Sequence, residues 1–210
     1  LAVALLGVHT AAYTPGALVL IVSPTQRQSS EMFKTCVSLY ARLGRPVPTQ
    51  SETAATMTLE NGSRIVALPG TDASIRGYHI NEKGLLLLDE ASRIEDDTYV
   101  ATLPMVAGGG RVIATTTPWG QRGWFHDRWE NGGATWQRFR VPATECPNRI
   151  TPEFLAQARA ELGDWFFQQE FMCEFKDSVD QLFTAEILDR MFTADAEPLD
   201  LLTPTNNEAA

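Results

Sequence analysis

The feature that most constrains the fold is a run of four leucines followed directly by two carboxylates. Residues 85–88 precede Asp89 and Glu90 in the segment LLLLDEAS (85–92). A short continuous apolar run is typical of a strand that is covered on both faces, as in a parallel sheet. Acids at the carboxyl end of such a strand lie where ligands bind in open α/β sheets. A plain strand end with solvated acids is the alternative, and the context favours function.

The rest of the chain alternates short apolar runs with stretches of helical spacing. Strands are predicted at 17–22, 111–117 and 136–141, with a hairpin of two strands around Asn61-Gly62 within 57–68. Helices are predicted at 1–13, 26–42, 95–107, 151–162 and 164–174. This alternation predicts an α/β fold with a mostly parallel sheet that is flanked by helices.

Composition narrows the classes of function. The chain has 17 basic and 26 acidic residues, so it does not bind DNA by bulk charge. Residues 111–142 are the exception, with five arginines and two acids. Three scattered cysteines argue against a disulfide framework and a zinc site and favour a reduced, cytosolic setting. No apolar run has the ~18 residues that a membrane-spanning helix needs.

Three groups of residues are candidates for chemistry. Asp89 would hold Mg²⁺, usually through water, and Glu90 would orient or deprotonate an attacking water. Thr116 and Thr117, in IATTTP (113–118), would place hydroxyls at the same sheet edge, although threonine is also common in strands. Arg76, beside Gly77 in the preceding loop, is either an arginine that reaches a phosphate or an ordinary surface residue.

Two further segments have a structural and a functional interpretation. SPTQRQS (23–29) follows the first strand and is interpreted as a helix cap rather than as a contact to DNA or nucleotide. The stretch 119–133 combines arginines with Trp124, Phe125 and Trp129. Aromatic and arginine side chains together can stack on bases. The helical spacing of these three aromatic residues favours packing in the core.

The order of these motifs resembles the ATPase domain of the large terminase subunits of tailed phages. The segments that carry the resemblance are LVLIVSPTQRQSSEMF (18–33), LPGTDASIRGY (68–78), LLLLDEAS (85–92), TLPMVAGGGRVIATTTPWGQRGWF (102–125) and TPEFLAQARAELGDWFFQQEFMCEF (151–175). The resemblance implies a P-loop NTPase-like fold of the RecA/ASCE type and hydrolysis of ATP with Mg²⁺. It also implies that Asp89 and Glu90 are the Walker B pair, that Thr116 and Thr117 form the coupling motif, and that Arg76 acts on a neighbouring subunit.

The same resemblance implies a place in a DNA-packaging motor. The expected partners are double-stranded DNA, the portal protein, the small terminase subunit and further copies of the chain in a ring. The expected location is the cytoplasm of the bacterial host, with no membrane. Residues 1–175 would be a partial ATPase domain, and 176–210 a linker toward an absent nuclease domain, with a disordered tail. Asp177 and Asp180 are assigned to that linker rather than to a nuclease metal site.

The sequence departs from the family pattern in three places. It contains no GxxxxGK(S/T), which is expected directly before residues 1–13, so we expect an N-terminally truncated fragment that is inactive alone. The family's RNase H-like nuclease domain is expected to follow EFKDSVDQLFTAEILDRMF (174–192), about where the sequence ends, so its cluster of carboxylates is missing. NEKG (81–84) lengthens the segment between Arg76 and the acidic strand. Two other hypotheses remain open: a helicase-like DNA translocase, which would need a second RecA-like domain, and a non-catalytic remnant of a decayed prophage.

Overall fold

The computed structural model describes residues 1–70 and 75–176. Backbone contacts divide the chain into two units, Leu1–Lys176 and Asp177–Ala210. The predicted linker and disordered tail, including Asp177 and Asp180, therefore lie almost entirely outside the described residues. The same holds for residues 71–74 of the resemblance segment LPGTDASIRGY.

A six-stranded sheet forms the centre of the first unit, in the order β2-β3-β4-β1-β5-β6. The strands are β1 Leu18–Ser23, β2 Thr49–Glu52, β3 Thr56–Leu59, β4 Arg64–Pro69, β5 Leu85–Asp89 and β6 Arg111–Thr115. Strands β4, β1, β5 and β6 are parallel, whereas β2 and β3 are antiparallel to their neighbours. The predicted α/β fold with a mostly parallel sheet is confirmed, and so is the hairpin at Asn61-Gly62.

Helices cover both faces of this sheet. They are α1 Ala2–Tyr13, α2 Gln26–Arg42, α3 Asp96–Thr102, α4 Gly123–Asn131 and α5 Pro152–Glu170. Thr25 caps α2, because its Oγ1 accepts a hydrogen bond from the Gln28 backbone N–H at 3.3 Å. This contact agrees with the interpretation of SPTQRQS as a helix cap. None of the described helices is both long enough and apolar enough to span a membrane.

The alternation of side chains along the strands produces two hydrophobic cores. On one face, Ile21 and Leu87 pack with residues of α1 and α2, and Ile113 packs against the same cluster. On the other face, Leu88 packs with Trp124 of α4 and with residues of α3. We call these the α1 face and the α4 face. The side on which a strand-end residue points is therefore known from its position in the strand.

Two aromatic residues of the stretch 119–133 pack on the α4 face, as expected for their helical spacing: Trp124 is buried in the core and Phe125 is partly buried against it, whereas Trp119 is exposed. Trp124 stacks on Tyr99 with ring centroids 3.9 Å apart and planes at 5°. Its Nε1–H donates a hydrogen bond to the Ile94 carbonyl at 3.0 Å. Because the indole ring is buried and its only donor is satisfied, Trp124 holds α4 against the segment that follows β5.

Some predicted elements differ from the structure. No strand forms at 136–141 within the described residues: the segment lies outside the sheet, and Phe139 is 81% exposed. Alternation alone does not make a strand when no neighbouring strand is available for pairing. The predicted division between helices at 151–162 and 164–174 is confirmed, because Gly163 within α5 has a non-helical backbone (φ 75°, ψ 163°), but the second helical segment ends at Glu170. The helix predicted at 95–107 is shorter and continues as a 3-10 turn with Pro104 near its start. The polar strand β2 was not predicted.

Candidate active site

The candidate site lies at the carboxyl edge of the sheet, where β5 and β6 end side by side. The register of the two strands places Asp89 opposite Thr115. The Thr115 hydroxyl donates a hydrogen bond to Asp89 Oδ1 at 3.2 Å. The expected proximity of the acidic strand and the threonine-proline segment is therefore confirmed. Thr115 was not among the predicted site residues, although the two-residue alternation from Ile113 places it on the α1 face with Asp89.

A hydrogen-bond network joins the loops that follow these two strands. Ser92 contacts the Thr116 hydroxyl through its own hydroxyl at 2.7 Å and through its backbone N–H at 3.3 Å. The Thr117 carbonyl accepts hydrogen bonds from the hydroxyls of Ser92 at 2.8 Å and Thr116 at 2.7 Å. Thr116 is thus engaged in fixing one loop to the other. This network couples the position of the acidic loop to that of the threonine loop.

Glu90 has an unusual backbone and a perturbed carboxyl group. It lies in the left-handed region with φ 51° and ψ 45°, a conformation that is uncommon for residues other than glycine. Burial raises the pKa of the Glu90 carboxyl, and the neighbouring Asp89 carboxylate raises it further. Backbone strain of about 1–3 kcal/mol at such a position is often associated with function. Glu90 is therefore a partly desolvated acid at the site edge and not a freely solvated one.

Arg93 connects the site to two other parts of the molecule. Its guanidinium stacks on the Trp119 ring, 3.9 Å from the centroid, two residues after Thr117. Its Nη2 lies 3.7 Å from Glu170 Oε1 at the end of α5. The positive charge of Arg93 lowers the pKa of Glu90 and the negative charge of Glu170 raises it, both less than burial does. No local pattern in the sequence singles out Arg93, since both partners are distant along the chain.

Helix α1 runs antiparallel to the parallel strands, so its first residues lie toward this edge. Near its end, the Ala11 carbonyl accepts a hydrogen bond from Asn61 Nδ2 at 2.9 Å, beside the amino end of β4. In its middle, Gly7 packs so closely that a Cβ there would lie 3.1 Å from Leu87 Cδ1 and 3.2 Å from Val19 Cγ1. Leu1 is six residues earlier, or about 9 Å of helix rise. The first turn of α1 therefore points its backbone N–H groups toward the edge that holds Asp89.

Arg76 lies on a different part of the molecule. It is exposed in the turn that follows Ile75, in the connection from the carboxyl end of β4 to the amino end of β5. Ile75 and Ile80 anchor this connection in the core of the α4 face. Asp89 points to the opposite face. The structure thus brings Asp89, Glu90, Thr116 and Thr117 to one edge and places Arg76 on a separate connection.

The donor atoms at the site suit a hard cation only if water or a ligand completes the shell. Among the described residues, no group of three or more histidine, cysteine, aspartate or glutamate side chains is close enough to hold a metal ion. Asp89 offers one carboxylate, and the Thr115 hydroxyl donates a hydrogen bond to it. Mg²⁺ keeps several waters and commonly binds one or two carboxylates together with substrate phosphates. The residues present fit that mode and not a cage built from protein alone.

Comparison with solved structures shows the same fold in proteins of low sequence identity. The ATPase domain of the Thermus phage P74-26 large terminase matches with a TM-score of 0.68 and 20% identity over 83% of each chain. An arginine-to-alanine mutant of that domain matches with a TM-score of 0.71 and 19% identity over 83% of each chain. The large terminase of another thermophilic bacteriophage, solved in complex with ADP, matches at 0.63 and 11% identity over 79% of this chain and 42% of its own.

Comparison at the level of sequence adds nothing to this. No family model matches the chain, and no curated protein matches it. The structural matches show that the chain has the P-loop NTPase-like fold of large terminase ATPase domains.

Proposed function

We propose that this chain, which shares its fold with phage large terminase ATPase domains, belongs to a motor that couples ATP hydrolysis to the packaging of double-stranded DNA. The observation that carries the proposal is the pairing of Asp89 with Thr115 at the carboxyl edge, with the strained Glu90 next in the chain. This edge is where open parallel sheets bind their ligands. A large terminase of the same fold has been solved with ADP, which supports nucleotide binding by this chain.

The roles of the residues follow from their chemistry. Asp89 would hold Mg²⁺. A bound Mg²⁺ would neutralise negative charge on the phosphate groups of ATP. Glu90 orients the attacking water and accepts its proton. Its raised pKa makes it a better base for that step than an ordinary glutamate, provided that it is ionised. The threonine loop moves with the acidic loop, because Ser92 hydrogen bonds to both Thr116 and Thr117.

The proposed assembly is a ring of identical subunits on a portal protein, with a small terminase subunit as a further partner. The setting would be the cytoplasm of a bacterial host. The net charge of −9 makes general attraction of DNA unfavourable, so contacts to DNA would be local. A helicase-like translocase is the second candidate. It would need another RecA-like sheet, and the described residues after β6 form no strand.

The proposal is tested by ATP hydrolysis. The 210 residues contain no GxxxxGK(S/T), so we expect only background turnover from them. The same residues, with a segment that contains GxxxxGK(S/T) fused before Leu1, are expected to hydrolyse ATP with Mg²⁺. Asp89→Asn in that protein should reduce kcat by at least about 100-fold, since a clamp on the transferring phosphoryl group is lost.

The matched control is Asp97→Asn, which removes an exposed carboxylate from the first turn of α3 and should leave kcat unchanged. Full activity of the Asp89→Asn protein would rule out the assigned site. Substantial ATP turnover by the 210 residues alone would show that the phosphate-binding loop is not required, and would contradict the proposed mechanism.

The pH dependence of turnover gives a second test. Glu90 must be ionised to accept a proton, so kcat is expected to fall as the pH drops through its raised pKa. Glu170→Gln removes a negative charge that raises this pKa, so the acid limb should move to lower pH. Arg93→Gln removes a positive charge that lowers it, so the limb should move to higher pH. Identical pH–rate profiles for both variants and the parent would exclude Glu90 as the group that titrates.

A further inference from the structure

Ser23, the last residue of β1, is a buried polar residue whose side chain lacks a hydrogen-bond partner, a property that it shares among the described buried residues with Gln169 of α5. Ser23 is fully buried. Ser63 is equally buried at the opposite edge of the sheet, yet its Oγ accepts from the Ala17 N–H at 3.1 Å and donates to the Thr14 carbonyl at 3.0 Å. A buried hydroxyl without a partner costs free energy, and such a group calls for an explanation.

The register of the sheet places Ser23 in line with the candidate site. Pairing of β1 with β5 extends to Val22 and Leu88, so the next position sets Ser23 beside Asp89. Pairing of β5 with β6 sets Asp89 beside Thr115. Ser23 lies two residues after Ile21, which faces α1, and therefore points to the same side as Asp89. Three polar side chains thus form one row across three adjacent strands.

The backbone of Ser23 is held rigidly, so its hydroxyl has a defined place. Its carbonyl accepts a hydrogen bond from the Gly70 N–H at 2.7 Å, directly after β4. A Cβ at Gly70 would lie only 3.0 Å from the Ser23 oxygen, so the absence of a side chain at residue 70 permits this close approach. The unpartnered hydroxyl therefore lies at the end of β1, an interior strand of the parallel part of the sheet.

We propose that Ser23 is a positioning residue of the cation site, and that its hydroxyl rotates to donate a hydrogen bond directly to the Asp89 carboxylate when that carboxylate holds the divalent cation. The inference rests on the proposed function, because it assigns the cation to Asp89. Removal of a group that orients a metal ligand commonly weakens metal binding by about 10- to 100-fold. The row gives Asp89 one hydroxyl neighbour on each side: Thr115, which already donates a hydrogen bond to it, and Ser23, which would donate one when the cation is bound.

The test measures cation affinity and thermal stability separately. Mn²⁺ binding in the presence of ADP is followed by electron paramagnetic resonance, in the complete product of the gene. Ser23→Ala is expected to weaken Mn²⁺ binding by about 10-fold. In EDTA the same variant should keep or raise the Tm, since it removes a buried hydroxyl that has no partner in the fold. Ser23→Thr keeps the hydroxyl and should retain most of the Mn²⁺ affinity.

Ser63→Ala is the matched control, because it removes a buried serine hydroxyl that has two partners. It should lower the Tm and leave Mn²⁺ affinity unchanged. Ser23→Ala with Mn²⁺ affinity within about twofold of the parent would overturn the inference, as would a Ser23→Ala protein that fails to fold. Asp89→Asn distinguishes a failure of the Ser23 inference from a failure of the proposed function. If Asp89→Asn also leaves Mn²⁺ binding unchanged, the proposed cation site itself is wrong.

Discussion

Glu90→Gln is expected to reduce ATP turnover by about 10²–10⁴-fold while nucleotide binding persists, because the amide keeps the shape of the side chain but cannot accept a proton. The left-handed backbone at Glu90 is followed immediately by the 3-10 turn of Ala91–Arg93. The Glu90 backbone is fixed directly after Asp89, because its carbonyl accepts a hydrogen bond from the Arg93 N–H at 2.9 Å. A base that is fixed in this manner loses its function through chemistry and not through misplacement.

The same substitution has a second expected effect, on stability. Burial and the neighbouring Asp89 raise the pKa of Glu90 in the folded chain, so folding favours its protonated form. Protonation of Glu90 therefore contributes to the free energy of unfolding below the ordinary glutamate pKa. This contribution is lost as the pH rises through the raised pKa of Glu90. Glutamine is neutral throughout. We therefore expect a higher free energy of unfolding for Glu90→Gln than for the parent at neutral pH, with the difference disappearing in acid.

Both effects can be measured on one set of proteins. Turnover is measured under saturating ATP, nucleotide affinity with a fluorescent ADP analogue, and stability by urea unfolding at neutral and acidic pH. Glu95→Gln provides the control, since Glu95 is an exposed carboxylate five residues later. It should change neither turnover nor stability. A Glu90→Gln protein that hydrolyses ATP at the parental rate would remove Glu90 from the reaction.

The parts of the fold that could be predicted are those encoded by local sequence. Four consecutive leucines define β5, and the Asn61-Gly62 turn defines the β3–β4 hairpin, because each depends on neighbouring residues only. The segment 136–141 has similar local features and forms no strand. Strand formation there would depend on a partner strand, and the described residues place none beside it.

The same distinction applies to the candidate site. Asp89 and the threonine segment are visible in the sequence because they follow apolar strands. Ser23 and Arg93 are not, since their relevance comes from contacts and alignment across strands that are far apart in the chain. Ser23 is 66 positions from Asp89 in the sequence, and only the pairing of β1 with β5 brings the two side by side. Register is a property of the assembled sheet, which a single sequence does not reveal.

Arg76→Ala is expected to reduce kcat by about 10³–10⁵-fold if Arg76 supplies an arginine finger. The connection that bears Arg76 is anchored by Ile75 and Ile80 in the core of the α4 face, whereas Asp89 points toward α1. An exposed arginine on that connection is placed to contact the nucleotide of a neighbouring subunit and not the nucleotide of its own subunit. Arg149→Ala, which removes an exposed arginine elsewhere, should leave kcat unchanged. Arg76→Lys should recover little activity, because an ammonium lacks the planar fork of donors.

Mixing two inactive proteins decides whether Arg76 acts on its own subunit or on the next one. In a ring that contains both Arg76→Ala and Glu90→Gln subunits, some interfaces combine an intact Glu90 from the first with an intact Arg76 from the second. Turnover should then reappear in the mixture, although each protein alone is inactive. If Arg76 served its own subunit, every site would lack one essential group and mixing would restore nothing. Thermal unfolding of Arg76→Ala shows whether the variant is folded, so that a silent mixture of folded proteins would refute action between subunits.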